Sequence, residues 1–153
     1  IDFTSLADGD YVVRGLNINL GTSGGWLKVR IYNQSGTLLT SDYSEARSSY
    51  GANGNNQNTY TTGSALSAYP SHSNSSATVN DYHDIEARFS VKLGVTTVFL
   101  KSNITTGNHN GLCHLVGSID TTSATNKITG ISFYPSDSSA NMEKGEFKLF
   151  KIT

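Results

Sequence analysis

Residues 85–93 read Ile-Glu-Ala-Arg-Phe-Ser-Val-Lys-Leu, so that apolar and polar side chains alternate over nine positions. Side chains of a β-strand point alternately to the two faces of a sheet, whereas an amphipathic helix needs apolar residues three or four positions apart. The stretch therefore predicts a half-buried strand with five apolar side chains inward and four polar side chains outward.

The same alternation recurs along the chain. Residues 26–32 place Leu27, Val29 and Ile31 on one face and two basic side chains on the other. Further strand candidates, most of them bounded by Gly, Asn, Asp or Ser, are residues 11–20, 95–101, 112–119, 127–134 and 146–152. Six to eight strands without a helical period predict an all-β fold with little or no helix, either an antiparallel β-sandwich or a barrel.

Composition agrees with this fold and argues against two function classes. Gly, Ser, Thr and Asn supply 67 of the 153 residues, and these residue types favour turns or strands over helices. The 11 Lys and Arg residues are scattered and the net charge is −1, so we expect no nucleic-acid partner. No stretch approaches the roughly 20 apolar residues that cross a bilayer, so we expect no membrane insertion. The length fits one domain, residues 1–153.

The segment from about residue 41 to residue 84 departs from the alternating pattern. It holds five of the eight tyrosines among Asn, Ser, Gly and Thr, with few branched aliphatic residues. A loop of this length without secondary structure is unusual in a compact domain, and it indicates a functional or oligomeric role. Alternatively, part of this polar insertion forms strands whose alternation is masked, with residues 60–62 and 77–79 as candidates.

The aromatic side chains of this segment, together with Trp26, are the candidate ligand contacts. Aromatic faces stack on the C–H faces of sugar rings, and Tyr offers a large contact surface with only two side-chain torsions to freeze. The predicted ligand-binding residues are Trp26, Tyr43, Tyr50, Tyr60, Tyr69 and Tyr82, with Asp81 and His83 as polar partners. The alternative is that these rings fill the core or a contact between subunits, as we expect for Tyr11, Tyr32 and Tyr134.

Catalytic patterns are weak in this sequence. Asp81, Asp84 and Glu86 would serve as acid and base in glycoside cleavage only if the fold brought two of these carboxylates into one cleft. On the polar side of a strand, a solvated carboxylate is the usual case. The sequence has no Walker-type glycine loop. We therefore expect no catalytic residue, and no enzyme.

The single cysteine, Cys113, excludes an internal disulfide. His109 and His114 lie close to it in sequence, which suggests a zinc site. Strand alternation, however, places Cys113 and His114 on opposite faces, so that one ion could not bind both. We expect neither a metal nor another cofactor.

Two stretches near the end of the chain resemble a known class of proteins. Residues 128–135 read Ile-Thr-Gly-Ile-Ser-Phe-Tyr-Pro, and residues 144–152 read Lys-Gly-Glu-Phe-Lys-Leu-Phe-Lys-Ile. The pair resembles the closing strands of tailed-bacteriophage virion proteins of the tail-fibre, appendage or head-decoration type. In those modules an I-x-x-I-x-F strand precedes a terminal G-x-F-x-L-Y-G-I strand. Phe150 and Lys151 stand where that pattern has Tyr and Gly.

The resemblance implies a jelly-roll-like β-sandwich, usually a homotrimer, at the C-terminus of its parent chain and on the surface of a virion assembled in the bacterial cytoplasm. It implies that Phe147 and Leu149 point inward beside Ile131 and Phe133 of a neighbouring strand. We therefore predict a non-enzymatic, trimeric appendage or tail-fibre-type protein that attaches to host-surface carbohydrate. The alternative is a structural capsid-decoration or appendage protein that binds other virion proteins, and the third possibility is a glycan-cleaving enzyme.

Overall fold

The computed structural model describes residues 1–20, 26–51, 56–67, 82–105, 110–119, 126–136 and 141–153. Within these ranges the chain forms strands and no helix, and therefore no helix there could cross a membrane. The strands are β1 (Asp2–Phe3), β2 (Gly9–Asn19), β3 (Leu27–Tyr32), β4 (Tyr43–Gly51), β5 (Asn56–Gly63), β6 (Leu66–Ser67), β7 (Tyr82–Val91), β8 (Thr97–Thr105), β9 (Asn110–Ile119), β10 (Gly130–Pro135) and β11 (Lys144–Lys151).

The strands form two sheets in which neighbouring strands are antiparallel. The four-stranded sheet has the order β1-β10-β3-β6, and the seven-stranded sheet has the order β11-β2-β7-β8-β9-β4-β5. The predicted all-β sandwich is confirmed. The jelly-roll connectivity stays a prediction.

The core lies between the two sheets and is built from the predicted apolar faces. In β7 the side chains of Ile85, Ala87, Phe89 and Val91 are buried, as the alternation predicts. Leu93 is the exception, because the strand ends at Val91 and Leu93 is 57% exposed. The sequence pattern therefore overestimated this strand by two residues.

The four-stranded sheet contributes the opposite wall of the core. Leu27, Val29 and Ile31 of β3 are fully buried, and Ile131 and Phe133 of β10 lie directly opposite two of them and are also fully buried. Such directly opposed apolar pairs stabilise the sheet by removing both side chains from water.

The two closing stretches form β10 and β11, but these strands are not neighbours in one sheet. β10 pairs with β1 and β3, whereas β11 pairs with β2 in the other sheet. The expectation that Phe147 lies beside Phe133 in a neighbouring strand is therefore wrong. The two rings instead meet across the sandwich, with centroids 4.9 Å apart.

Much of the polar segment from residue 41 to residue 84 is strand. β4 and β5 pair along eight residues and end the seven-stranded sheet, and residues 60–62 lie in β5 as the alternative interpretation predicted. The alternation was hidden because the inward side chains of β4 include Glu45, Arg47 and Ser49, which are buried although polar. The candidate strand 77–79 lies outside the described residues.

Glu45 shows how these buried polar side chains are accommodated. One carboxylate oxygen accepts a hydrogen bond from the backbone N–H of Ser67 at 2.7 Å, and the other lies 3.9 Å from the Arg47 guanidinium. Buried charges persist where hydrogen bonds and opposite charges replace water. This contact also connects β4 of the large sheet to β6 of the small sheet.

Candidate functional site

The outer face of the seven-stranded sheet is an accessible surface on which residues from distant parts of the sequence meet. One line of directly opposed residues crosses all seven strands on this face. From β5 to β11 it consists of Tyr60, Ala46, Val116, Phe99, Arg88, Val12 and Phe150. Tyr60, Phe99 and Val116 are 71%, 55% and 45% exposed. We call the seven directly opposed residues the aromatic line.

A second line, which we call the polar line, runs beside the aromatic line. Residues two positions apart in a strand share a face and lie about 7 Å apart. From β5 to β11 the polar line consists of Asn58, Ser48, His114, Lys101, Glu86, Arg14 and Lys148. The Ser48 hydroxyl donates a 2.7 Å hydrogen bond to the side-chain oxygen of Asn58. The face therefore offers apolar rings and polar groups side by side.

Over β4, β5, β8, β9 and the adjoining part of β7, this face forms an open groove of about 950 Å³. The outward-facing side chains that line it come from both lines, with Tyr50 added from the end of β4. A smaller hollow of about 460 Å³ shares Ala46, Tyr60 and Val116 with the groove and continues it along the strands. A groove of this size is in the range of small-molecule binding sites.

At one end of the groove, the carboxylate of Glu86 forms ion pairs with two arginines. One oxygen of Glu86 lies 3.0 Å from Nε of Arg14, and the other lies 2.7 Å from a guanidinium nitrogen of Arg88. The hydrogen bond from Arg88, followed by that from Arg14, lowers the pKa of the Glu86 carboxyl. Both oxygens are thus engaged by arginines of the same sheet.

Lys101 and His114 lie at the centre of the groove and are directly opposite each other on β8 and β9. Both side chains are exposed. Within the described ranges, neither side chain has an ion pair, and neither donates or accepts a hydrogen bond. Their polar atoms are therefore free to bind a ligand.

Two of the predicted contact residues, Tyr50 and Tyr60, line this groove. Tyr50 is 48% exposed, and both rings lie on the outer face of adjacent strands. Tyr82 of β7 is 38% exposed and is not among the lining residues. Of the predicted aromatic set, the structure therefore brings two members together, and their role as contacts stays a prediction.

Tyr43 is not a surface contact, and the prediction for this residue is wrong. Its side chain is 1% exposed and lies in the core. Its hydroxyl accepts a hydrogen bond from the N–H of Ile31 at 2.8 Å and donates one to the carbonyl of Leu39 at 3.1 Å. Burial raises the pKa of the phenol to about 12. Tyr43 therefore stabilises the fold.

His83 is likewise misplaced by the sequence prediction. It is fully buried on the inner face of β7, so it cannot reach a ligand in solution. Alternation along β7 explains this position, because His83 shares the parity of the core residues Ile85 and Ala87.

The remaining predicted contacts do not join the groove. Trp26 is half-buried and immediately precedes β3 of the other sheet, where its backbone N–H donates a hydrogen bond to the Ser136 hydroxyl at 2.9 Å. Tyr69 and Asp81 lie outside the described residues.

The carboxylates considered for glycoside cleavage are engaged by neighbouring groups. Asp84 accepts a 2.8 Å hydrogen bond from the backbone N–H of Asn17, and Glu86 is held by two arginines. A general acid in glycoside cleavage needs a raised pKa, whereas the pKa of Glu86 is lowered. Asp81 lies outside the described residues. The described geometry thus favours structural roles for Asp84 and Glu86.

Cys113 and His114 lie on opposite faces of β9, since the thiol is fully buried and the imidazole is exposed. Burial raises the pKa of the Cys113 thiol to about 12, so its reactive thiolate is disfavoured. Among the described residues, no group of three or more His, Cys, Asp or Glu side chains is placed to hold a metal ion. His109 lies outside the described residues.

Sequence reasoning missed Phe99, Val116, Lys101 and His114 as members of the site. A signal for Phe99 was present, because Val98, Phe99 and Leu100 form an apolar run that breaks the alternation and must place one large side chain on the outer face. The other three depend on strand order. β9 lies between β8 and β4 only in the folded sheet.

No family model, curated protein or solved structure matches the chain.

Proposed function

We propose that this protein is a non-enzymatic attachment module that binds surface carbohydrate in the groove of the seven-stranded sheet. The observation that carries the proposal is the exposure of Tyr60 and Phe99 on one line of the groove, beside a parallel line of hydroxyl, amide and charged side chains. Sugars present the complementary surface, with apolar C–H faces for aromatic rings and hydroxyls for polar groups.

The spacing of the aromatic residues fits an extended ligand. Three strand spacings separate Tyr60 on β5 from Phe99 on β8, which corresponds to about 14 Å. This distance is greater than the width of one sugar ring, so the groove would contact several units of a chain. Because both residues stand on strands of a continuous sheet, their relative positions are fixed before the ligand arrives, which lowers the entropic cost of binding.

The biological setting that we propose is the surface of a tailed-bacteriophage virion, where the module acts as a trimeric appendage or tail-fibre-type protein. Support comes from the resemblance of residues 128–135 and 144–152 to the closing strands of such proteins. These stretches contain β10 and β11, one in each sheet, so that the resemblance includes both walls of the core. Jelly-roll connectivity belongs to the same proposal.

A second candidate, a structural decoration or appendage protein that binds other virion proteins, is favoured by a different surface. Leu16, Phe150 and Ile152 are 51%, 45% and 59% exposed at the β2 and β11 end of the large sheet, where β11 is the outermost described strand. Exposed apolar side chains at a sheet edge are typical of protein–protein contacts.

A binding screen distinguishes the two candidates. The purified protein is tested against a panel of bacterial polysaccharides, with released reducing ends assayed in the same wells, and its mass is measured by light scattering. The groove variants are Tyr60→Ala and Phe99→Ala. The matched control is Phe150→Ala, which removes an aromatic ring from the same face but outside the groove.

We expect binding without release of reducing ends, and a mass of three chains. Each groove variant should weaken binding about fivefold, since an aromatic contact contributes on the order of 1 kcal/mol. The melting temperature should stay unchanged because both rings are exposed, and Phe150→Ala should bind normally. Absence of binding across the panel, combined with loss of assembly in Phe150→Ala, would favour the structural candidate. Release of reducing ends would favour the enzyme.

A further inference from the structure

We propose that the groove selects acidic glycans, and that Lys101 and His114 bind the carboxylate of a uronic or nonulosonic acid unit. This inference rests on the proposed carbohydrate-binding function and adds the chemical class of the ligand. The observation behind it is the position of two polar side chains, opposed across β8 and β9 in the middle of the groove, that lack partners among the described residues.

The charge of Lys101 is not neutralised by the sheet. Its other directly opposed neighbour is Glu86 on β7, the carboxylate nearest in the polar line. Both oxygens of Glu86 are already engaged, one by Arg14 and the other by Arg88. Lys101 therefore presents an uncompensated ammonium group to the groove, although the protein as a whole has a net charge of −1.

His114 completes a site for one carboxylate. An imidazole has at least one ring N–H in either protonation state, so His114 can donate a hydrogen bond beside the ammonium of Lys101. On its other side, His114 faces Ser48. The Ser48 hydroxyl can form hydrogen bonds with the hydroxyl groups of a sugar. One permanent positive charge matches a singly charged carboxylate better than a doubly charged phosphate.

Phe99 and Val116 of the aromatic line supply the apolar part of the contact with the sugar. Phe99 and Val116 are directly opposed in the same two strands, two residues from Lys101 and His114, respectively. The apolar pair and the polar pair are therefore about 7 Å apart along the strands. A sugar ring stacked on Phe99 would carry its carboxylate toward Lys101, so the four side chains together define one subsite for an acidic sugar.

The test uses matched ligands that differ only in charge. Alginate, hyaluronan, polygalacturonate and polysialic acid are each compared with their carboxyl-reduced, neutral forms. The protein variants are Lys101→Gln, Lys101→Arg and His114→Ala. The control is Lys144→Gln, which removes an exposed lysine from β11, the strand at the opposite edge of the sheet from β5.

We expect at least one acidic polysaccharide to bind, and its carboxyl-reduced form to bind at least about tenfold more weakly, because a charge-assisted hydrogen bond is lost. Lys101→Gln and His114→Ala should cause a similar loss, Lys101→Arg should retain binding, and Lys144→Gln should have no effect.

Three results would overturn the inference, and they are distinguishable from one another. If acidic and reduced forms bind equally and Phe99→Ala weakens both, the groove binds carbohydrate but does not select acids. If Lys144→Gln weakens binding as much as Lys101→Gln, the attraction is unspecific. If none of the acidic or neutral polysaccharides binds, the proposed function fails together with the inference.

Discussion

Tyr43→Phe removes a single oxygen atom from the core, and we expect this change to destabilise the protein without touching the groove. The Tyr43 hydroxyl sits between two backbone groups, because it accepts the N–H of Ile31 and donates to the carbonyl of Leu39. Leu39 in turn donates its own N–H to the carbonyl of Ile31 at 3.0 Å. The phenol thus completes a hydrogen-bonded connection between β3 and the segment that follows it.

The expected magnitude follows from these contacts. The phenylalanine ring still fills the site, so no large cavity forms. What remains is a buried N–H of Ile31 and a partly buried carbonyl of Leu39 without their partner, and leaving such groups unsatisfied costs about 1 to 3 kcal/mol. For a chain of 153 residues, a loss of about 2 kcal/mol lowers the melting temperature by roughly 4 to 8 °C.

The assay is thermal unfolding followed by circular dichroism, together with polysaccharide binding at a temperature where both proteins are folded. Tyr60→Phe is the matched control, since it removes the same atom from a ring that is 71% exposed and should leave the melting temperature unchanged. An unchanged melting temperature in Tyr43→Phe, with loss of binding, would refute the reasoning and return Tyr43 to the set of ligand contacts.

Two further predictions concern the interior. Gly117→Ala should cost about 1 to 3 kcal/mol of stability, because the new methyl group would overlap the buried side chain of Leu66. Gly63→Ala should cost little, because a methyl group there would make only an ordinary van der Waals contact, and denaturant unfolding checks both variants. Cys113 should react with a thiol reagent in mildly alkaline buffer only after unfolding, since burial raises its pKa to about 12. Because the folded protein disfavours the thiolate, the contribution of Cys113 to the free energy of unfolding is present below the ordinary thiol pKa of 9 and is lost as the pH rises toward 12. In unfolding curves measured over this pH range, Cys113→Ala should therefore lose less stability than the unmodified protein does. Rapid labelling of the folded protein would contradict the burial of this residue.

The candidate site shows how far residue type alone can guide prediction. Aromatic residues in a polar segment predict Tyr50 and Tyr60 as ligand contacts, and both line the groove. The same pattern predicts Tyr43, which lies in the core. The difference is parity, since Tyr43 and Tyr50 are seven residues apart in β4 and therefore point to opposite faces. Parity could be applied only once residues 43–51 were known to form one strand.

The remaining site residues were beyond the reach of the sequence for a different reason. Lys101 and His114 are 13 positions apart in the chain, and Ser48 is far from both, yet the three are directly opposed in adjacent strands. Nothing in their local sequence indicates that they share a face, because any exposed position of an amphipathic strand has the same pattern.

The sequence by itself determined the all-β class and the inward face of most strands, because alternation of apolar side chains is a local property with a period of two residues. It also placed β10 and β11 near the end of the chain as strands. Only the tertiary structure decided that these two strands belong to different sheets, and that β4 lies between β5 and β9. Strand order and register arise from packing and hydrogen bonds between distant segments, and those interactions assemble the groove that we propose as the binding site.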